Sequence, residues 1–202
     1  MTLTEIKTMA ETLVDDVIDE TISLQLLNDK IQEIYSERPW TFLIAVDETQ
    51  HTSAGNLWEQ SFVLPSDCDS IIKIEINGKE YTPRPYSDYD ACKTINHYYF
   101  ISNALYLSGA IDASYPIRIT YKKSANDLAL NDAPLFPSRF HKMLAYYLAA
   151  DFYMIDAGEK GMSWHNEWYV KGETKLNQMR LWDAEQQTKA LNTKLKEKTN
   201  IY

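Results

Sequence analysis

Hydrophobic positions recur along this chain with two different periods, and the change between them divides it into three stretches. Thr2-Leu3-Thr4-Glu5 has the form of a capping box, which predicts a helix opening at once. Ile6, Met9, Ala10, Leu13 and Val17 then fall on one face at helical spacing, with Glu5, Glu11, Asp15 and Asp16 off it. A second helix is predicted from Asp19 as N-cap, with Leu24, Leu27, Ile31, Ile34 and Tyr35 as its stripe. Arg38-Pro39 stops it, because proline lacks the amide hydrogen and constrains its predecessor.

From Trp40 the period becomes two. Trp40, Phe42 and Ile44 alternate, and Phe62-Val63-Leu64-Pro65 reads as a short strand ended by proline. Ile72, Ile74 and Ile76 alternate with Lys73 and Glu75 and lead into Asn77-Gly78, a strong hairpin signal because a type I′ turn needs positive φ twice. Tyr99 and Ile101 lead through Ser102-Asn103 into Leu105 and Leu107, a second hairpin. Ile117, Ile119 and Tyr121 make a last strand. Some six short strands separated by turns predict an antiparallel sandwich or small barrel rather than βαβ units.

Residues 127–137, rich in Asn, Asp and Pro, read as a loop. Helix returns near Ser138, with Phe140, Leu144, Tyr147, Leu148 and Met154 as its stripe. Gly158 and Gly161 bound a turn, and Ser163 caps a final helix through Trp164, Trp168, Leu176, Met179 and Trp182 that is expected to pack against several neighbours or to bend near Gly172. Beyond Asp183 the apolar content collapses. Such a segment is marginal as an isolated helix, so it is expected to fray alone or to have a partner.

At 202 residues, 45% hydrophobic and 12% aromatic, the chain can bury a core as one domain or one domain with an insertion. Its net charge of −9 argues against a dedicated nucleic-acid binder, which carries a basic footprint. Cys68 and Cys92 lack CxxC spacing and are expected to be reduced, in an intracellular protein. No basic-then-apolar leader opens the sequence, and no apolar run is long enough for a membrane span.

Reaction chemistry is sparse. His51, His97, His141 and His165 are scattered, without the H-E-x-x-H spacing that turns two imidazoles to one metal. His165-Asn166-Glu167 has the H-x-E form of zinc deaminases but lacks their P-C-x-x-C partner. Asp67-Cys68-Asp69 offers three metal-binding side chains, although a polar turn is the better reading. Asp88 and Asp90 flank Tyr89 as a pair of carboxylates of the kind that hydrolyse sugars, against the reading of a surface turn. Asp151 projects onto the apolar face of its helix. It is read either as an acid or base in a pocket or as a structural hydrogen bond to a tyrosine, an arginine or backbone amides. Tyr81, Tyr86, Tyr89, Tyr98, Tyr99 and Phe100 make an aromatic cluster, partly core and otherwise a protein interface or a carbohydrate platform. No phosphate-cradling glycine motif and no G-x-S-x-G occurs. No cofactor, metal or catalytic residue is assigned.

Arg38-Pro39-Trp40-Thr41-Phe42-Leu43, then Phe62-Val63-Leu64-Pro65-Ser66-Asp67, then Ile72 to Ile76 with Asn77-Gly78, resemble in order and spacing the head-to-tail adaptor (connector) proteins of tailed bacteriophages. So do Ile117-Arg118-Ile119-Thr120-Tyr121-Lys122-Lys123, Asp132-Ala133-Pro134 and Phe136-Pro137-Ser138-Arg139-Phe140-His141. The resemblance covers roughly residues 5–180. It implies an α+β fold in which an α-helical bundle carries an inserted antiparallel β-sandwich or barrel subdomain. Residues 1–38 would be the N-terminal helical hairpin, 39–126 the β subdomain, 137–182 the C-terminal helices and 183–202 a polar arm. It further implies a non-enzymatic virion protein of the neck, assembled in the host cytoplasm as a homo-oligomeric ring, commonly a dodecamer. Such a ring joins the portal protein to tail or nozzle proteins and lines a channel through which DNA passes without specific binding, with no membrane involved. Trp182, Leu191, Leu195, Ile201 and Tyr202 are the portal-binding candidates, chosen by position alone. The alternatives are another neck or tail-completion protein and a glycan-binding module.

Overall fold

The computed structural model describes residues 1–85, 96–101, 104–156 and 158–199, with backbone alone for 101, 156, 158–160 and 191–199. The chain forms two compact units, one from Met1–Phe42 with Ala125–Tyr202, the other from Leu43–Ser124.

Among the described residues the first unit holds four helices: α1 (Leu3–Val14), α2 (Glu20–Glu37), α3 (Lys142–Asp156) and α4 (Gly158–Thr199). The predicted capping box is present at α1, where Thr2 and Glu5 each satisfy the other's backbone amide. Asp15 turns left-handed and ends α1 three residues early, so Val17 is 79% exposed and Ile18 is buried in its place. Asp19 caps α2 as expected, and α2 ends at Glu37 before Arg38.

Helix α3 is the centre of this unit, buried nearly all round at Met143, Leu144, Ala145, Tyr147, Leu148, Ala149 and Ala150, with α1, α2 and α4 all against it. Met154, assigned to its stripe, is instead half exposed near the helix end. The loop over 127–137 is as predicted and is tied to the helices. Leu130 and Asp132 carbonyls receive the first free amides of α1, and the Asn28 side chain pairs both backbone groups of Leu128.

Two sequence readings fail at the ends of this unit. Trp40 and Phe42 are not in a strand. Their rings stack 5.5 Å apart, the Trp40 indole donates to the Ile34 carbonyl at 2.6 Å, and a 3-10 turn at Thr41–Leu43 follows. Nor does Ser163 cap a helix, because α4 has already begun at Gly158 and passes through Gly161. Gly172 serves a close approach: a Cβ there would lie 2.8 Å from Cε1 of Tyr147 on α3.

Among the described residues the second unit is a curled seven-stranded sheet, a half-barrel, where an antiparallel sandwich or small barrel was expected. Its strands are β1 (Ile44–Asp47), β3 (Ser61–Val63), β4 (Cys68–Ile76), β5 (Lys79–Pro83), β6 (His97–Ile101), β7 (Ala104–Leu107) and β9 (Ile117–Lys123), in the order β1-β9-β4-β5-β6-β7-β3. Strands β2 (Gly55–Asn56) and β8 (Ala110–Ile111) pair separately. Both predicted hairpins are present: β4–β5 turns at Asn77 and Gly78 with φ of 49° and 72°, and β6–β7 pairs Ile101 with Ala104. The turn residues Ser102 and Asn103 lie outside the described residues. The β5–β6 pair is parallel, a departure from the expected antiparallel order.

Ile74, Ile76, Leu105, Leu107, Ile117 and Ile119 form the centre of the sheet's core. Ile72 does not join them. A register shift between Ile71 and Lys73 sets two β4 residues against one on β9, which turns Ile72 out to 49% exposure and brings Ile71 to the core side.

Candidate functional site

The scattered histidines stay scattered. His51 makes an isolated bridge to Pro116, and His97 Nδ1 lies 2.6 Å from the Thr82 hydroxyl. His165 Nδ1 lies 3.0 Å from the Ala150 carbonyl. His141 is buried between the Phe136 and Met1 carbonyls. Burial pushes its pKa below the usual imidazole value, and the two carbonyls pull the other way. Among the described residues no three His, Cys, Asp or Glu side chains gather to hold a metal. Glu167 of the H-x-E run pairs with Lys171 at 2.6 Å instead.

Of Asp67-Cys68-Asp69, expected as a polar turn, only Asp67 lies in a turn, and Cys68 and Asp69 open β4. Asp67 accepts the Tyr121 hydroxyl at 2.9 Å, Asp69 faces Lys122 at 3.4 Å, and the Cys68 amide donates to the Pro65 carbonyl. The Cys68 thiol is pushed up by burial and then by both flanking carboxylates, so it is held away from the reactive thiolate. Asp88, Asp90, Tyr86, Tyr89 and Cys92 lie outside the described residues. Tyr81, Tyr98 and Tyr99 are buried, and only Phe100 of the described members of that cluster is substantially exposed.

Asp151 opens onto a cleft of 180 Å³ that is also lined by Asp29, Lys30, Glu33, Tyr147 and Tyr169. The groups here are engaged with one another. Lys30 reaches Glu33 at 2.8 Å and rests 4.2 Å above the Tyr147 ring, and the Tyr147 hydroxyl donates to Glu173 at 2.7 Å. Arg180 forks onto both oxygens of Glu37 at 2.8 Å. Burial raises the Asp151 pKa against the pull of His165 and Lys30. Among the described residues it accepts no hydrogen bond, so the expected structural bond to a tyrosine, an arginine or backbone amides is not made. Tyr147, which lines the same cleft, donates to Glu173 instead.

The C-terminal helix is rooted by a residue that sequence reasoning missed. Asp183 is fully buried. Its Oδ1 accepts the Thr41 amide at 2.8 Å and the Thr41 hydroxyl at 2.6 Å, and its Oδ2 accepts the Gln187 amide at 3.0 Å and faces Arg38 at 3.7 Å. A signal was available: Leu176, Met179 and Asp183 follow i, i+3, i+7 spacing, which places a carboxylate on the buried stripe.

Of the five portal-binding candidates, Trp182 is half-buried, 5.9 Å from the Phe140 ring and beneath the Arg139 guanidinium. Leu191 and Leu195 lie on helical backbone of α4, i and i+4 to one another, beyond the described side chains. Ile201 and Tyr202 lie outside the described residues.

Among the described residues no helix is long and apolar enough to cross a membrane. No curated protein matches the chain. The family model described as SU10 adaptor protein matches residues 1–194, a span that takes in the four-helix unit, the sheet and α4 as far as Lys194. The chain belongs to the SU10 adaptor protein family, a phage head–tail adaptor family, and is by that membership a phage structural adaptor.

Proposed function

We propose that this chain is a non-enzymatic virion protein of the neck, whose copies form a ring beneath the portal, join it to tail components and surround the path of the exiting DNA. The observation that carries the reading is the family match, which runs through both units rather than over one shared subdomain. Three features support it. The acidic balance repels phosphate from a conduit wall. Among the described residues, the cleft at Asp151 has a volume of only 180 Å³, and its one lysine, Lys30, is paired with Glu33. Helix α4, of 42 residues and about 63 Å at 1.5 Å per residue, reaches well past its last buried anchor.

Residues 183–202 are the portal-binding arm in this reading, with Leu191 and Leu195 on it. The domain limits carry over as proposals: residues 1–38 and 137–182 form the helical body, 39–126 is the insertion, and the arm is the polar terminus. A twelve-fold ring is the expected assembly.

The test uses purified portal assemblies. The full chain should add a ring visible in negative stain. Deleting residues 189–202, which leaves the Asp183 clasp whole, should abolish docking while keeping the melting temperature. Full docking by the truncated chain would refute the arm, and no added ring with the full chain would refute the reading itself.

A further inference from the structure

One face of the α3–α4 hairpin combines aromatic rings with cations, of which Lys171 alone pairs with a carboxylate, Glu167, among the described residues. Lys142, Tyr146, Ala149 and Tyr153 follow i, i+4, i+7, i+11 on α3. Trp164, Trp168, Lys171, Lys175 and Trp182 share one side of α4. The rings pair across the two helices: Tyr146 stacks on Trp168 at 5.7 Å, and Tyr153 on Trp164 at 6.2 Å. Cations cover them, with Lys171 3.9 Å above Trp168, Lys142 5.5 Å above Tyr146, and Arg139 between Phe140 and Trp182.

Elsewhere in the helical unit lysines and arginines face carboxylates, as in Lys7–Glu11, Lys30–Glu33 and Arg180–Glu37. Among the described residues Arg139, Lys142 and Lys175 have no acidic partner; the first two rest on rings and Lys175 on Gln178. Trp164 remains 52% exposed, and Trp168 Nε1 is buried without an acceptor among the described residues. Three cations without an acidic partner thus share one face in a chain of net charge −9.

The same unit carries the opposite surface. The turn between α1 and α2 presents Asp15, Asp16, Asp19 and Glu20, all exposed and none in an ion pair among the described residues, around the exposed Val17. Beside it an apolar cleft of 160 Å³ is lined by Ile18, Ile22, Leu26, Leu148, Phe152 and Ile155.

We infer that the aromatic–cationic face of α3–α4 is a subunit interface whose occupant is the acidic α1–α2 turn of a second copy. Two different, complementary patches on one chain make a head-to-tail contact, the kind of contact from which a ring is built when its rotation closes. Tyrosine, tryptophan and arginine are the residues that dominate such interfaces, and opposed charge sets their register. The inference rests on the ring reading above and specifies which surfaces make the ring. Nucleic acid fits less well, because the rings are stacked on one another rather than open to bases, and the cations are few.

The experiment mixes isotopically labelled and unlabelled full-length chain and treats it with a zero-length carbodiimide coupler. Mixed-isotope peptides should join Lys142, Lys171 or Lys175 to the segment Asp15–Glu20. Lys142→Glu with Lys175→Glu should lower about tenfold the yield of the peptides joined at Lys171, whose own amine is untouched, and adding Asp16→Lys with Glu20→Lys should restore that yield through Asp15 and Asp19. Absence of mixed-isotope peptides, an unchanged yield in the reversed variant, or failure of the fourfold variant to restore it would each overturn the inference. So would a face whose reversal abolishes duplex DNA binding and leaves the cross-links intact. The ring reading fails separately: if the charge-reversed variant still adds a normal ring to the portal, the interface is wrong and the ring stands. If the cross-links form but the wild-type chain never docks, the interface stands and the reading falls.

Discussion

Replacing Asp183 tests whether one buried carboxylate holds α4 to the end of α2. Asp183→Ala removes the acceptor of three hydrogen bonds, from the Thr41 amide, the Thr41 hydroxyl and the Gln187 side chain. A buried donor left without an acceptor costs about 1–3 kcal/mol. Thr41 and Gln187 are only half-buried, so water recovers part of that loss. Arg38, at 3.7 Å and partly solvated, adds less than about 1 kcal/mol. The sum is about 3 kcal/mol, within the roughly 3–5 kcal/mol seen when one partner of a buried charge pair is deleted. Asp183→Asn keeps an oxygen for both Thr41 donors and should lose about half as much. Urea unfolding followed by tryptophan fluorescence reads this directly, because Trp40, Trp164, Trp168 and Trp182 all belong to the helical unit. With a slope of about 2 kcal/mol/M, the alanine variant should unfold about 1.5 M earlier. Glu185→Ala, two residues on and exposed, should move stability by less than about 0.5 kcal/mol. A shift in Asp183→Ala no larger than that control would refute the clasp.

Gly172→Ala should destabilise by about 1–3 kcal/mol despite alanine's helix preference of about 1 kcal/mol, because its Cβ meets a Tyr147 ring already held by Glu173 and Lys30; thermal melting reads the sign. His141, whose pKa burial lowers from 6.5, is favoured neutral in the fold. Stability is therefore intact above pH 6.5 and falls as pH drops through its folded pKa, which an imidazole proton titration by NMR should place below 6.5. Tyr121 is pushed up to about 12 by burial first and then by its bond to Asp67. Its contribution is whole below about pH 10 and is lost as pH rises toward 12; absorbance near 295 nm should show a late-ionising phenol that Asp67→Asn brings earlier.

Local signals were legible and non-local ones were not. The Thr2–Glu5 box, the Asp19 cap and the Asn77-Gly78 turn each depend on residues within four positions, so the chain states them outright. Trp40 and Phe42 looked like strand because alternation over three residues cannot be told from a tight turn. What decides it is the Ile34 carbonyl, which captures the indole. Ile72 kept perfect alternation, yet the register shift that expels it is a property of the pairing with β9. The parallel β5–β6 joint has no periodic signature at all. At the candidate site the family could be read from motif order, whereas Asp183 and the α3–α4 face emerged only when two helices were placed side by side. Lys142 and Trp168 are 26 positions apart, and no sequence window joins them.

The polar terminus shows how the choice of reference state changes a conclusion. As a free peptide, the dozen residues after Gln187 would rarely be helical, because forming the first turn is unfavourable and so short a segment cannot offset it. In the protein those residues continue a helix already nucleated and packed as far as Asp183, so only propagation remains, and the backbone stays helical to Thr199. A portal-binding arm built this way is a lever whose direction is fixed at its root. A flexible tether would behave differently on the same mutation. Loosening the Asp183–Thr41 clasp would lower stability and leave a tether's docking unchanged, whereas a lever loses its aim and docks more weakly in proportion. Portal titrations of Asp183→Asn, which should remain folded at room temperature, separate the two. Wild-type affinity in that variant would mean that the arm's helical continuity plays no part in its reach.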